Sequence, residues 1–140
     1  MARKTEAYLD TSALIAFLDR SDTHHSVFRL LFAEPPALVT SALVIAEGHG
    51  WFLRRYDRRR AIEFLSFVST LSVLETQPFD ASALTRSSAM LKRYADQDLT
   101  LADAHGLAIM ASRKLKNCWS TDHHMALGGA ILATRGLWLT

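Results

Sequence analysis

Residues 7–18 read AYLDTSALIAFL, and this stretch decides the fold. Its first three residues are a short apolar run, as in a buried strand, and the run ends at Asp10, Thr11 and Ser12, residue types that cap helices. Residues 13–18 then continue as a helix. The stretch predicts a short strand that ends on an acidic side chain and leads directly into a helix.

Short apolar strands alternate with helices along the rest of the chain. The sequence predicts further strands over residues 37–40, 72–75 and 117–120, and a last strand of weaker pattern within residues 130–139. Helices are predicted over residues 25–32, 42–56, a segment that follows Asp57, 80–94, 100–115 and 124–127. Ser41 and Asp57 are placed to cap two of these helices. Parallel strands need crossover connections, which helices supply, so the alternation predicts an α/β fold with a parallel sheet covered on both faces.

Length and composition limit the class of protein. The chain has 140 residues, of which 49% are hydrophobic and 21% charged, so residues 1–140 are expected to form one globular domain. Its single cysteine, Cys118, excludes a disulfide framework and is expected in the core. No apolar run approaches the roughly 18 residues that cross a bilayer. We therefore expect a cytoplasmic protein that does not enter a membrane.

Four acidic residues are expected at one edge of the sheet. Asp10 follows the first strand, and Asp122 follows the fourth. Glu47 lies in the second turn of the helix that leaves the second strand, and Asp103 lies in the first turn of the helix that leads into the fourth strand. These positions all belong to the edge formed by the carboxyl ends of the strands, where open α/β sheets bind their ligands.

Each of these acids also has a purely structural interpretation. Asp10 and Asp122 could cap helices, Thr100 and Asp103 fit a capping box, and Glu47 could be an exposed helix residue. Taken together, however, four anions at one edge repel one another unless a cation is present. Oxygen ligands favour Mg²⁺ or Mn²⁺ over zinc, so the pattern predicts a site for one of these ions.

Four ordered stretches give the chain a resemblance to a known family. They are YLDTSAL at residues 8–14, TSALVIAE at 40–47, DLTLADA at 98–104 and STD at 120–122. In order and spacing they resemble the PIN domains, and more closely the VapC-type toxins of bacterial and archaeal toxin–antitoxin pairs. The resemblance covers essentially the whole chain.

The resemblance implies a fold, an activity and a set of site residues. The family fold is a three-layer α/β/α sandwich with a mostly parallel central sheet, and the family activity is metal-dependent cleavage of RNA by an endoribonuclease. Asp10, Glu47, Asp103 and Asp122 correspond to the family's catalytic, metal-binding acids. The residues that correspond to supporting positions are Thr11, Ser12, Asp98 and Thr121.

The resemblance also implies partners. A VapC-type toxin acts on an RNA substrate with Mg²⁺ or Mn²⁺, forms a homodimer and pairs with an antitoxin protein. Two alternatives stay open: a PIN nuclease of RNA processing that has no antitoxin, and a degenerate PIN domain that binds RNA or protein without catalysis. Retention of all four acids argues against the degenerate domain.

A basic cluster lies in the middle of the chain, between residues 54 and 60. Its members are Arg54, Arg55, Arg58, Arg59 and Arg60. They could contact RNA phosphates or solvate the junction between two helices, and charge runs usually do the latter. In the resembled toxins this helical hairpin helps to receive the antitoxin, which favours partner binding. Trp51, Phe52 and Phe64 lie on the same helices and are expected in the core or in a dimer or antitoxin contact, with base stacking as the less favoured alternative.

Three further features bear on the site. His24–His25 and His123–His124 are adjacent pairs, and neighbouring side chains point apart on a helix or strand, which argues against a zinc site. Gly48 and Gly50 lie inside a predicted helix and indicate a kink or close packing there. Met125 occupies a position that is often aromatic in the resembled family.

Overall fold

The computed structural model describes residues 4–136 and contains a five-stranded sheet. The strands are β1 Ala7–Leu9, β2 Leu38–Ser41, β3 Leu74–Gln77, β4 Asn117–Trp119 and β5 Ile131–Leu132. They lie in the order β3-β2-β1-β4-β5, and every neighbouring pair is parallel. The predicted parallel sheet is therefore confirmed.

Helices connect and flank the strands. They are α1 Thr11–Leu18, α2 His25–Leu31, α3 Ala42–Arg55, α4 Arg58–Thr70, α5 Ala81–Arg93, α6 Leu101–Arg113 and α7 Ala133–Gly136, with a 3-10 helix at His123–Ala126. Within residues 4–136, no helix has the length and apolar character needed to cross a membrane.

The two residues predicted to start helices by capping do so. Ser41 Oγ accepts a hydrogen bond from the backbone N–H of Leu43 at 3.0 Å, at the start of α3. Asp57 Oδ1 accepts one from the backbone N–H of Arg60 at 2.9 Å, at the start of α4. Each cap contributes about 1 kcal/mol to stability. The caps fix where α3 and α4 begin.

The strand order places helices on both faces of the sheet. The chain moves from β1 to β2 and β3 in one direction, and then returns past β1 to β4 and β5. Right-handed crossovers that run in opposite directions lie on opposite faces. Helices α1 to α4 therefore cover one face, and α5, α6 and the 3-10 helix cover the other. This arrangement confirms the three-layer α/β/α sandwich.

The third strand begins later than its predicted bounds of 72–75. The backbone N–H of Leu74 donates to the carbonyl of Leu71 at 3.1 Å, which closes a turn before the strand. Residues 72 and 73 belong to this turn, and the strand extends to Gln77 instead.

The last strand, predicted within residues 130–139, is present but is only two residues long. Only Ile131–Leu132 pairs with β4, and residues 133–136 are helical. Residues 137–139 of this prediction lie outside the described residues.

Aromatic side chains fill the core between the sheet and the helices α1 and α2. The ring of Phe32 lies 4.7 Å from that of Phe17 and meets the ring of Trp119 edge-on at 5.0 Å, measured between centroids. Cys118, beside Trp119 on β4, is fully buried as predicted. Met125 is also fully buried, next to Gly106, so its side chain belongs to the core.

Gly48 marks a close contact between α3 and α4. A Cβ at this position would lie 2.2 Å from Cζ of Phe64, which is fully buried beside Phe52. Close packing therefore explains this helical glycine, and both phenylalanines belong to the core. At Gly50 the nearest atom to a Cβ would be Nη1 of Arg54 at 2.9 Å, the far end of a flexible side chain.

Alanine at the two glycine positions should change stability in opposite directions. Gly48→Ala overpacks the α3–α4 contact and should lower the free energy of unfolding by about 1–3 kcal/mol. Gly50→Ala only displaces the Arg54 guanidinium and should raise it by up to about 1 kcal/mol through helix propensity. Urea denaturation of both variants measures the difference. Equal stability of the two variants would contradict the packing described for Gly48.

Candidate functional site

The structure brings the four predicted acids to one cleft. Asp10, Glu47, Asp103 and Asp122 all line a cleft of about 190 Å³. The other lining residues are Thr11, Ser12, Ile15, Trp51 and Arg54. Asp10 directly follows β1, the strand at which the order of the sheet reverses, as expected for a site in an open parallel sheet.

Asp10 is buried and is held by two serines. Its Oδ2 accepts hydrogen bonds from the hydroxyls of Ser12 and Ser120, each at 2.8 Å. Both serine oxygens in turn accept backbone N–H groups, from Thr121 and Asp122 respectively, each at 2.9 Å. The orientation of Asp10 therefore depends on the loop after β4 as well as on its own helix.

The burial of Asp10 makes its charge unfavourable. Asp10 occupies the N-cap position of α1 but makes no capping hydrogen bond there, so capping does not account for it. Burial raises the pKa of Asp10 to about 6, despite the bonds from Ser120 and Ser12 that lower it, and the charges of Asp103 and Asp122 raise it further. A cation in the cleft would reverse this effect, because it favours the charged carboxylate.

Asp103 and Asp122 do cap helices, but with one oxygen each. Asp103 Oδ2 accepts the backbone N–H of Thr100 at 3.0 Å, and its own N–H donates to Thr100 Oγ1 at 3.1 Å, which completes the predicted capping box. Asp122 Oδ1 accepts the backbone N–H of His124 at 3.0 Å. The other oxygen of each carboxylate accepts no hydrogen bond from the described residues. The caps orient both side chains and leave an oxygen for a ligand.

One side of α3 forms a wall of the cleft. Glu47, Trp51 and Arg54 follow one another at intervals of four and three residues, which places them on the same side of the helix. Glu47 and Arg54 are exposed, and Trp51 is half-buried. Arg54 brings a positive charge to a cleft whose other charged residues are acids.

The predicted supporting residues occupy different positions. Ser12 holds Asp10, as described above. Thr11 is buried at the cleft, and its Oγ1 has no hydrogen-bond partner among residues 4–136. Thr121 contributes a backbone N–H rather than a lining side chain. Asp98 is exposed and does not line the cleft.

Two residues of the site were not singled out from the sequence. Ser120 donates to Asp10 because Leu9 pairs with Trp119, which makes the residues that follow them neighbours. Knowledge of the register between β1 and β4 would have been needed to predict this contact of Ser120. Trp51 was assigned to the core or to a partner contact, and only the rotation of α3 about its axis shows that it faces the acids.

The basic cluster divides into residues with different contacts. Arg54 lines the cleft. Arg60 packs its guanidinium 4.5 Å from the centroid of the Tyr56 ring and donates to a backbone carbonyl at the end of α1. Arg59 pairs with Glu63 one turn along α4, at 3.2 Å. The remaining members, Arg55 and Arg58, are exposed.

The prediction that adjacent histidines diverge is wrong for His123 and His124. Their ring centroids lie only 4.3 Å apart. Both imidazoles turn toward the carboxylate of Asp122, with Nδ1 of His124 at 3.0 Å and Nδ1 of His123 at 3.9 Å from its Oδ1. The short 3-10 turn permits this, whereas the argument for divergence assumed a regular helix or strand.

The sequence matches the model of a known protein family. The family model of the PIN domain matches residues 7–127. The chain belongs to the PIN domain family. A search of curated proteins gives no significant match.

Solved structures share the fold of this PIN domain. VapC20 of Mycobacterium tuberculosis, a toxin that cleaves the sarcin–ricin loop, is 23% identical, with a TM-score of 0.82 over 90% of this chain and 97% of that chain. A toxin–antitoxin complex from Klebsiella pneumoniae is 22% identical, with a TM-score of 0.62 over 91% and 98%. DNA-bound VapBC from Salmonella typhimurium is 16% identical, with a TM-score of 0.63 over 92% and 96%. The likeness to VapC proteins extends over nearly the whole chain.

The cleft of this PIN domain fits a hard divalent cation. Its carboxylate oxygens are the donors that Mg²⁺ and Mn²⁺ prefer. The unpartnered Oγ1 of Thr11 is a further oxygen at the same place, and the buried charge of Asp10 calls for a positive neighbour. Asp10, Asp103 and Asp122 could hold such an ion, and Glu47 lines the same cleft.

Asp10→Asn should stabilise the metal-free PIN domain at neutral pH. The pKa of Asp10 rises from 3.8 to about 6 on folding, so the wild type loses stability as the pH rises through this range. The shift corresponds to at most about 3 kcal/mol, and we expect a gain of about 1–2 kcal/mol because the amide fits the serine pair less well. Thermal unfolding in EDTA measures it.

The gain should disappear near pH 4, where the wild-type carboxyl is protonated. Glu34→Gln, at an exposed carboxylate that lies outside the cleft, is the control and should show no gain. A loss of stability in Asp10→Asn at neutral pH in EDTA would contradict the unfavourable charge.

Proposed function

We propose that the protein is a Mg²⁺- or Mn²⁺-dependent endoribonuclease that hydrolyses RNA phosphodiesters in the cytoplasm and is the toxin of a toxin–antitoxin pair. The observation that carries the proposal is the convergence of four carboxylates in one cleft, where the charge of Asp10 is buried close to other anions. The structural likeness to a toxin that cleaves the sarcin–ricin loop supports the same class of reaction.

The acids of the cleft would have different roles in binding the ion. Asp10 and Asp103 are the most buried, and each is fixed by hydrogen bonds, so they are its principal ligands. Asp122 completes the set from the loop after β4, the strand that pairs with β1. Glu47, exposed on α3, is a further ligand of the ion or positions the attacking water. When bound, the ion lowers the pKa of water and offsets the charge of the phosphate.

Two lining residues are placed to contact the substrate. Arg54 can pair with a phosphate, which reduces the repulsion between RNA and the acids. Trp51 offers a half-buried aromatic wall one turn away, against which a base can stack. A small cleft that combines acids with these two residues suits a flexible single-stranded segment better than a stiff duplex.

The outer surface of α3 and α4 supports an antitoxin partner. Three large apolar side chains are exposed on this one helical hairpin: Leu53 by 45%, Ile62 by 41% and Leu65 by 37%. The same hairpin carries the exposed arginines Arg55, Arg58 and Arg59 of the basic cluster. An antitoxin segment with apolar and acidic residues would suit this surface, and the resemblance to VapC-type toxins implies a homodimer as well.

The purified protein should cleave a mixed RNA pool when Mg²⁺ or Mn²⁺ is present. Asp103→Asn keeps the side-chain shape but removes an anionic ligand, and should lower the rate by at least about 100-fold. EDTA should abolish cleavage by the wild type. Gel analysis of the RNA, with both proteins confirmed as folded by circular dichroism, measures these differences.

Glu34→Gln serves as the control and should cleave like the wild type. Equal cleavage by the wild type and Asp103→Asn would contradict the assigned site. Growth arrest on expression of the wild type, absent for Asp103→Asn, would distinguish a toxin from the alternative of an RNA-processing nuclease without antitoxin.

Arg54→Gln should weaken RNA binding in a salt-dependent manner. Loss of one phosphate contact should reduce the slope of log K against log salt concentration by about 0.7 for single-stranded RNA. Fluorescence anisotropy in the non-cleaving Asp103→Asn background measures the slope. Arg58→Gln removes an exposed arginine that does not line the cleft and is the matched control. An equal change in both variants would contradict a specific role for Arg54.

A further inference from the structure

Asp122, His123 and His124 bring three metal-binding side chains together. One candidate ligand atom from each lies within 4.8 Å of the others. Atoms bound to one ion at about 2.0–2.2 Å lie up to about 4 Å apart, so a small rotation would complete the geometry. The His123 side chain is 73% exposed and is free to make that rotation.

A second Asp-His-His group in the chain provides an internal comparison. His24 places Nδ1 at 3.8 Å from Oδ1 of Asp22, much as His123 does from Asp122. His25, however, directs its Nδ1 to the carbonyl oxygen of Ala16 at 2.9 Å. Its ring is therefore held against α1, and these residues do not converge. The same residue types therefore bring their ligand atoms together at Asp122, His123 and His124 but not at Asp22, His24 and His25.

We propose that Asp122, His123 and His124 form a second metal site, which binds a divalent transition ion such as Zn²⁺. Two imidazole nitrogens with one carboxylate oxygen are a donor set that zinc uses with further positions open to water. Hard ions such as Mg²⁺ prefer oxygen alone. The site is thus chemically distinct from the carboxylate cleft beside it.

The two sites share the carboxylate of Asp122. A zinc ion held by the histidines would draw this side chain away from the carboxylate set and add positive charge beside the cleft. Zn²⁺ should therefore inhibit Mg²⁺-dependent cleavage. This consequence rests on the proposed nuclease function, whereas the binding of zinc does not.

Calorimetric titration of untagged, metal-free protein with Zn²⁺, in excess Mg²⁺, tests the binding directly. The His123→Gln/His124→Gln variant removes both nitrogen ligands, and His24→Gln/His25→Gln removes the same residue types elsewhere. We expect the wild type and the second variant to bind zinc equally, and the first to bind it at least about tenfold more weakly. Co²⁺ as a probe should show visible absorption bands that only the first variant loses.

Equal zinc affinity in the wild type and the folded His123→Gln/His124→Gln variant would overturn the site. A similar loss in His24→Gln/His25→Gln would do the same. In the cleavage assay, Zn²⁺ should inhibit the wild type and not His123→Gln/His124→Gln; equal inhibition of both would overturn the shared role of Asp122. If no RNA is cleaved at all, the proposed function fails while the zinc titration still decides this inference.

Discussion

The buried charge of Asp10 is the constraint on which the rest of the site depends. The carboxylate lies at the end of a central strand, away from water, with Asp103 and Asp122 close enough to raise its pKa further. Two serine hydroxyls offset part of this unfavourable energy. A fold that retains such a charge is arranged for function rather than for stability, because removal of the charge would make the metal-free protein more stable.

The architecture accounts for the convergence of the acids. Parallel strands on both sides of β1 deliver their carboxyl ends to one edge. At that edge Asp10 and Asp122 directly precede helices, Asp103 lies in the first turn of α6, and Glu47 lies in the second turn of α3. The hydrogen bonds that start α6 and the 3-10 helix also aim Asp103 and Asp122, so local helix capping and the geometry of the site are the same feature. The side of α3 that lines the cleft adds the aromatic ring of Trp51 and the positive charge of Arg54 to these carboxylates.

Chain order alone was enough to predict the sheet, its layers and the four acids, because these depend on where strands end. Side-chain direction was harder to predict. Ser120 required the register of two strands, and Trp51 required the rotation of a helix. The convergence of His123 and His124 depends on a single 3-10 turn and on Asp122, and no periodic pattern reports either. The sequence places β5 within residues 130–139 but does not mark its end at Leu132, because the apolar run continues into Ala133, where α7 begins.

A crystal structure of the protein soaked with Mn²⁺ would test the central claim most directly. The account predicts an anomalous-scattering peak in the cleft, bonded to carboxylate oxygens of Asp10 and Asp103 at about 2.0–2.2 Å, typical of small divalent ions. Absence of a peak among these carboxylates at saturating Mn²⁺, in a crystal that leaves the cleft open, would contradict it.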